Sequence, residues 1–135
     1  MGERLEAFSR VRREMNEKIL AHDNLVVRRF FNLDGQAYKP GALPSKTKEM
    51  LGLVASLVLR CDDCVTYHMI QCYKEGVTRD EFFEIFGVAL VVGGSITIPH
   101  VRRAVAVLEE LERDGVPAMG ERPAAAGAQE DGSGA

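Results

Sequence analysis

The sequence predicts an all-α fold of about six helices. Apolar residues recur at intervals of three and four along most of the chain, which is the spacing of a helix with one buried face. No segment alternates apolar and polar residues as a half-buried strand would, and capping and stopping residues divide the chain into pieces of helical length. With 135 residues, 46% of them hydrophobic, the chain is long enough for one domain with its own core.

The first half of the chain predicts three helices. Residues 3–21 carry a regular amphipathic pattern. A shorter helix is expected over residues 24–32, because the Asp34-Gly35 pair favours a turn after it. A proline-containing loop then precedes a helix over residues 46–59.

The second half predicts three more helices. One begins at a Cys-x-x-Cys pair and ends near Glu75. Thr78 and Glu81 have the spacing of a capping box, so they predict the start of the next helix, which ends at a pair of glycines. That helix is apolar on several sides, more than a monomer of this size covers easily, and it therefore predicts oligomers. The last helix ends near Arg113.

The domain organisation follows from composition. Residues 1–115 are expected to form a single helical domain. Residues 116–135 are rich in Pro, Ala and Gly, which predicts a flexible tail or a segment that docks on a neighbouring subunit.

Charge and hydropathy exclude several classes of protein. The net charge of −3 does not favour nucleic-acid binding, which usually requires a basic surface. No apolar run reaches the roughly 18–20 residues of a membrane span, and the charged N-terminus has no signal-peptide core. We therefore expect a cytoplasmic protein. In that reducing compartment a close pair of cysteines indicates catalysis or metal binding rather than a static crosslink.

The segment that contains Cys61 and Cys64 carries the most informative chemistry. His68 follows the second cysteine by four residues. At the first turn of a helix, free backbone N–H groups and the positive end of the dipole favour thiolate over thiol. His68 lies on the same helical face as Cys64, one turn away, where it can exchange a proton with the sulfur. The spacing indicates a redox or nucleophilic dithiol with its own base.

Two other interpretations of these residues stay open. Buried cysteines and histidines are often purely structural. A zinc site would add Cys72, but four positions spread over three turns of one straight helix do not converge on an ion. Three local ligands with a fourth from elsewhere would still satisfy zinc. We expect neither a metal nor a cofactor, and we expect Cys72 to pack in the core.

Glu49 lies twelve residues before Cys61 in an otherwise apolar helix. Alone, it fits a solvent-facing acid in the first turn; near the dithiol it is a candidate to orient His68 and complete a proton relay. The whole spacing, Glu49 followed after eleven residues by Cys61-x-x-Cys64 and after three more by His68, resembles the signature of the AhpD-like alkylhydroperoxidase branch of the carboxymuconolactone decarboxylase superfamily. The resemblance covers about residues 25–112.

This resemblance implies an AhpD-like helical fold in obligate oligomers, homotrimers or homohexamers. It implies peroxiredoxin-type reduction of a hydroperoxide or disulfide substrate, in which Cys61 and Cys64 cycle between dithiol and disulfide. Glu49 and His68 would be the proton relay, and a lipoyl-bearing or other dithiol protein would supply electrons. Because His68 is its neighbour on the helix, Cys64 is the expected attacking sulfur and Cys61 the resolving one.

One position departs from the family pattern. Some peroxidase members have a histidine immediately before the second cysteine, where this chain has Asp63. Together with Asp62 it puts two negative charges beside the thiols, which should oppose thiolate formation. The alternatives are therefore a dithiol–disulfide oxidoreductase, a non-catalytic oligomeric redox sensor and, third, a labile metal site. We expect Tyr67 to pack rather than line a pocket, and His100 to be structural.

Overall fold

The computed structural model describes residues 2–119. Within that range the chain forms six α-helices, one short 3-10 helix and no strands, so the all-α prediction is confirmed. None of these helices has the length and apolar character needed to cross a membrane. The helices are α1 (Glu3–Ala21), α2 (Leu25–Ala37), α3 (Ser45–Leu59), α4 (Asp62–Lys74), α5 (Arg79–Gly93) and α6 (Ile98–Asp114), with the 3-10 turn Ser95–Thr97 before α6.

Most helix boundaries follow from local chemistry. The capping box at the start of α5 is present, with Thr78 accepting from the Glu81 N–H and Glu81 accepting from the Thr78 N–H. The predicted break at Asp34-Gly35 is wrong, because α2 continues through both residues to Ala37. Gly35 is buried inside this helix. A helical glycine costs only about 1 kcal/mol relative to alanine, which close packing offsets.

The chain divides into two compact units. One contains Pro40–Val116 together with Gly2. In this unit α3 packs against both α4 and α5, and α4 packs against α6. Its core is formed by apolar side chains from all four helices, among them Leu53, Leu57, Met69, Ile70, Phe82, Phe86, Ala104 and Leu108.

The other unit contains Glu3–Lys39 together with residues 117–119. Here α1 contacts α2, and the Ser9 hydroxyl lies 2.8 Å from the sulfur of Met119. The Arg13 guanidinium donates to the carbonyl of Ala118. The proposed tail 116–135 lies outside the described residues from position 120 onward, and a single domain over residues 1–115 stays a prediction.

A tight turn joins α3 to α4. The N–H of Arg60 donates to the carbonyl of Leu57, and the N–H of Cys61 reaches back to the carbonyl of Ser56 at 3.1 Å. This pair of bonds is the Schellman pattern, which requires a left-handed residue at its centre. Arg60 takes that conformation with φ of 60°, which glycine adopts more readily. The turn leaves only Arg60 and Cys61 between the two helices.

Candidate functional site

Cys61 and Cys64 form a disulfide, with their Cα atoms 5.2 Å apart. Cys61 is half-buried, whereas Cys64 is exposed. Because thiol–disulfide exchange needs an approach to sulfur, an exposed Cys64 is open to an incoming nucleophile or oxidant. The dithiol predicted from spacing is therefore close enough to be oxidised within one chain.

Cys61 is also the N-cap of α4. Its backbone is extended, and its sulfur accepts the N–H of Cys64 at 3.3 Å. This N–H is one of the donors that the first turn of a helix leaves without an intrahelical acceptor. In the reduced protein the same donor and the helix dipole would stabilise a thiolate at Cys61.

Glu49 and His68 meet in the interior of the site. Nδ1 of His68 lies 2.8 Å from Oε2 of Glu49, and the side chains are 10% and 5% exposed, respectively. An ionised carboxylate only accepts, so Nδ1 donates and Nε2 is the ring nitrogen through which protons can be exchanged. The solvent-facing interpretation of Glu49 is wrong, because its side chain turns inward from α3 toward α4.

Two more side chains surround this pair. Tyr67 is buried, and its ring packs edge-on against the His68 imidazole with 5.4 Å between centroids, as expected for a packing role. Cys72, one turn beyond His68 on α4, is completely buried. Burial, and then the nearby charge of Glu49, raise the pKa of the Cys72 thiol above its ordinary value. Cys72 therefore stays protonated and unreactive in the folded chain.

A third group of residues lies beside the disulfide. His100 donates from Nδ1 to Oδ1 of Asp62 at 2.6 Å, and Arg103 donates from Nη1 to Oδ2 at 2.8 Å. Asp62 is the first residue of α4, and both of its partners come from α6. The negative charge expected at Asp62 is therefore paired with two side chains of α6, which the sequence analysis did not anticipate. The partners are about forty positions away, and the sequence offered only a histidine after a proline as a signal.

Metal ligation requires several side chains to converge on one point. Among residues 2–119, no cluster of three or more His, Cys, Asp or Glu side chains has that arrangement. In this structure Cys61 and Cys64 bond to each other, and Cys72 is enclosed by the core.

The helical fold with a Cys-x-x-Cys disulfide and a buried Glu–His pair defines a class of small α-helical dithiol proteins. The family model for carboxymuconolactone decarboxylases matches residues 24–110. The chain belongs to the carboxymuconolactone decarboxylase family, and its resemblance to the AhpD-like superfamily is confirmed at this level.

Solved structures agree with this assignment. The protein TM1620 of Thermotoga maritima is 57% identical, with a TM-score of 0.78, over 80% of this chain and 95% of that one. A second crystal structure of TM1620 describes a carboxymuconolactone decarboxylase family protein and suggests its involvement in an antioxidative response. The family member lpg0406 of Legionella pneumophila is 26% identical with a TM-score of 0.70, over 84% of this chain and 98% of that one.

Two curated relatives are uncharacterised. The protein H16_B0147 of Cupriavidus necator is 28% identical over 75 residues, which are 56% of this chain and 66% of the relative. Protein 4 in the cox locus of Paracoccus denitrificans is 28% identical over 83 residues, 62% of this chain and 75% of the relative.

Proposed function

We propose that this protein is a thiol-dependent peroxidase that reduces hydroperoxides through a Cys61–Cys64 dithiol–disulfide cycle. The observation that carries the proposal is the combination of an accessible disulfide at a helix N-terminus with the buried Glu49–His68 pair on the two helices that flank it. The antioxidative role suggested for TM1620 of Thermotoga maritima supports it.

In the first step, the thiolate of Cys64 attacks one oxygen of the hydroperoxide. The O–O bond breaks, Cys64 becomes a sulfenic acid, and the alkoxide leaves as an alcohol after taking a proton. His68 supplies that proton, and Glu49 holds the imidazole in position and stabilises its charged form. Cys64 is the favoured attacking residue because it is exposed and shares a helical face with His68.

In the second step, the Cys61 sulfur attacks the sulfenic sulfur, water leaves and the disulfide forms. The sum is one hydroperoxide and two thiols converted to alcohol, water and disulfide. A lipoyl-bearing or other dithiol protein then returns two electrons through exchange at the accessible sulfur. A cytoplasmic location suits this cycle, because the disulfide must be reduced again after every turnover.

A dithiol–disulfide oxidoreductase is the second candidate function. Asp63 weakens the case for peroxide, because an exposed carboxylate next to the attacking sulfur opposes formation of the thiolate. The exposed Cys64 sulfur of the disulfide supports exchange with another dithiol or disulfide. The same sulfurs would then exchange with a protein disulfide. A redox sensor that is oxidised without turnover is the corresponding non-catalytic alternative.

Turnover of an organic hydroperoxide with dihydrolipoamide as reductant tests the proposal. We expect wild type and Cys72→Ser, the matched cysteine control, to turn over. Cys64→Ser should not react, and Cys61→Ser, assayed without reductant, should consume about one equivalent of peroxide and stop at the sulfenic acid. Equally slow peroxide consumption by wild type and Cys64→Ser would refute the peroxidase. Reduction of a model disulfide by that same wild-type protein would support the second candidate.

We also propose that the protein works as a homotrimer or homohexamer. The α5 helix and the turn after it leave large apolar side chains in solvent, with exposed fractions of 53% at Val88, 87% at Val91, 67% at Val92 and 57% at Ile96. Monomeric proteins rarely leave contiguous apolar surface of this kind uncovered. Covering it with further copies of the chain removes that surface from water.

A further inference from the structure

We propose that Arg103 is a positioning residue that offsets the charge of Asp62 and thereby permits thiolate formation at Cys61, while His100 holds the carboxylate in place through a hydrogen bond. The carboxylate of Asp62 is bonded on both oxygens, by Nδ1 of His100 at 2.6 Å and by Nη1 of Arg103 at 2.8 Å. The inference rests on the proposed dithiol chemistry, since it concerns the thiolate with which Cys61 attacks the sulfenic acid of Cys64 in the second step.

The position of Asp62 gives this cluster its significance. Asp62 directly follows Cys61, the N-cap whose sulfur accepts a helix N–H. An isolated carboxylate at this position would work against the stabilisation that the N–H and the dipole give to a thiolate. The Arg103 guanidinium is always charged and forms an ion pair with Asp62. Its positive charge therefore offsets much of the repulsion between the Asp62 carboxylate and a thiolate at Cys61.

The other ionisable groups near Cys61 and Cys64 do not neutralise the charge of Asp62. Arg60 precedes Cys61 and Asp63 precedes Cys64, and both side chains are exposed, whereas the groups hydrogen-bonded to the Asp62 carboxylate are His100 and Arg103. Glu49 and His68 are buried and hydrogen-bonded to each other. The α6 residues are thus the groups bonded directly to the acid that adjoins the half-buried sulfur.

A merely structural role for the cluster is the competing explanation, because the same bonds hold the start of α4 against α6. The two explanations predict different signs. If the bonds only anchor the helix, removing Asp62 or removing Arg103 breaks the same contact and moves the Cys61 thiol in the same direction. If charge compensation matters, removing the anion favours the thiolate and removing the cation opposes it.

The test measures the pKa of Cys61 from the pH dependence of its alkylation rate in full-length Cys64→Ser protein, with the modified peptide identified by mass. We expect Asp62→Asn to lower this pKa by about 0.5 to 1 and Arg103→Gln to raise it by a similar amount, as for partly screened charges. The double variant should return close to the parent value. Arg103→Lys should rescue most of the effect, and Arg102→Gln, which removes the same charge from the adjacent exposed position, should change it less.

Shifts of equal sign in Asp62→Asn and Arg103→Gln would overturn the proposal, as would no shift or an equal effect of Arg102→Gln. Both side chains are substantially exposed, 42% and 59% respectively, so the variants are expected to fold. Because the measurement follows one thiol and not turnover, its outcome is independent of peroxidase activity. Opposite shifts in a protein that does not turn over peroxide would retain the charge compensation and refute the proposed function alone.

Discussion

Replacing Glu49 with glutamine separates a proton relay from a simple buried contact. Glutamine has nearly the same shape, so no cavity forms, and its amide oxygen can still accept the Nδ1 hydrogen of His68 across the 2.8 Å separation. The substitution removes the negative charge and exchanges the other carboxylate oxygen for an NH2 group. The free energy of unfolding should therefore change by less than about 2 kcal/mol, the range of a single hydrogen bond.

The effect on catalysis should be larger. A hydrogen bond to a charged group contributes about 1.5–3 kcal/mol, and this one is shielded from water, with side-chain exposures of 10% and 5%. If that stabilisation is needed when the imidazole becomes charged, its loss slows the chemical step by about 10- to 150-fold, at 1.36 kcal/mol per factor of ten. The KM for peroxide should stay near its wild-type value, because Glu49 contacts His68 rather than the substrate.

Steady-state kinetics with an organic hydroperoxide and dihydrolipoamide provide the measurement, with urea unfolding as the stability control. Glu84→Gln, an exposed carboxylate on α5, is the matched variant and should behave as wild type. A folded Glu49→Gln protein whose kcat lies within twofold of wild type would refute the relay. A large fall in kcat that is matched in Glu84→Gln would point to net charge instead.

Three further predictions follow from other parts of the structure. Cys72 should resist alkylation in the native protein and react only after denaturation, because burial raises the pKa of its thiol; rapid native labelling would contradict this. Val91→Glu should dissociate the oligomer in light scattering without unfolding the subunit, since 87% of the native side chain is exposed, and a monomeric wild type at micromolar concentration would disprove the interface. The backbone N–H of Thr78, and then the ammonium of Lys46, lower the pKa of Glu81 below its ordinary 4.5. The stabilisation of the fold by ionised Glu81 is therefore present above its unfolded-state pKa and is lost as pH falls through its folded-state pKa. Glu81→Gln should be less stable than wild type near neutrality, and in urea unfolding this difference should shrink progressively as the pH is lowered below 4.5.

Much of the fold could be predicted from local sequence. Helix periodicity and the capping box at Thr78 depend on residues close in sequence, so both can be predicted from the sequence. The error at Asp34-Gly35 has the opposite origin: a turn preference of about 1 kcal/mol was overridden by packing that the local sequence does not record.

The candidate site also has features that local sequence predicts and features that depend on tertiary packing. The Cys61–Cys64 pairing and the His68 register follow from spacing within one helix, and residue order alone predicts them. The orientation of Glu49 depends on the turn at Arg60, which brings α3 alongside α4. The sequence had suggested a solvent-facing acid in the first turn, whereas α3 begins at Ser45 and Glu49 lies in its second turn. The resemblance to the family identified Glu49 as a candidate, and the packing of α3 against α4 places it in contact with His68.

The helices, the dithiol and the base that accompanies it could be predicted from residue order, because each depends on residues within one or two turns. The electrostatic environment of that dithiol depends on how the helices pack, and it became visible only in the folded chain. The two aspartates beside the cysteines looked equivalent along the chain, yet Asp62 is paired with α6 while Asp63 faces solvent. A charge acts through space, so its effect on a thiolate depends on partners that only the packing of distant helices brings together.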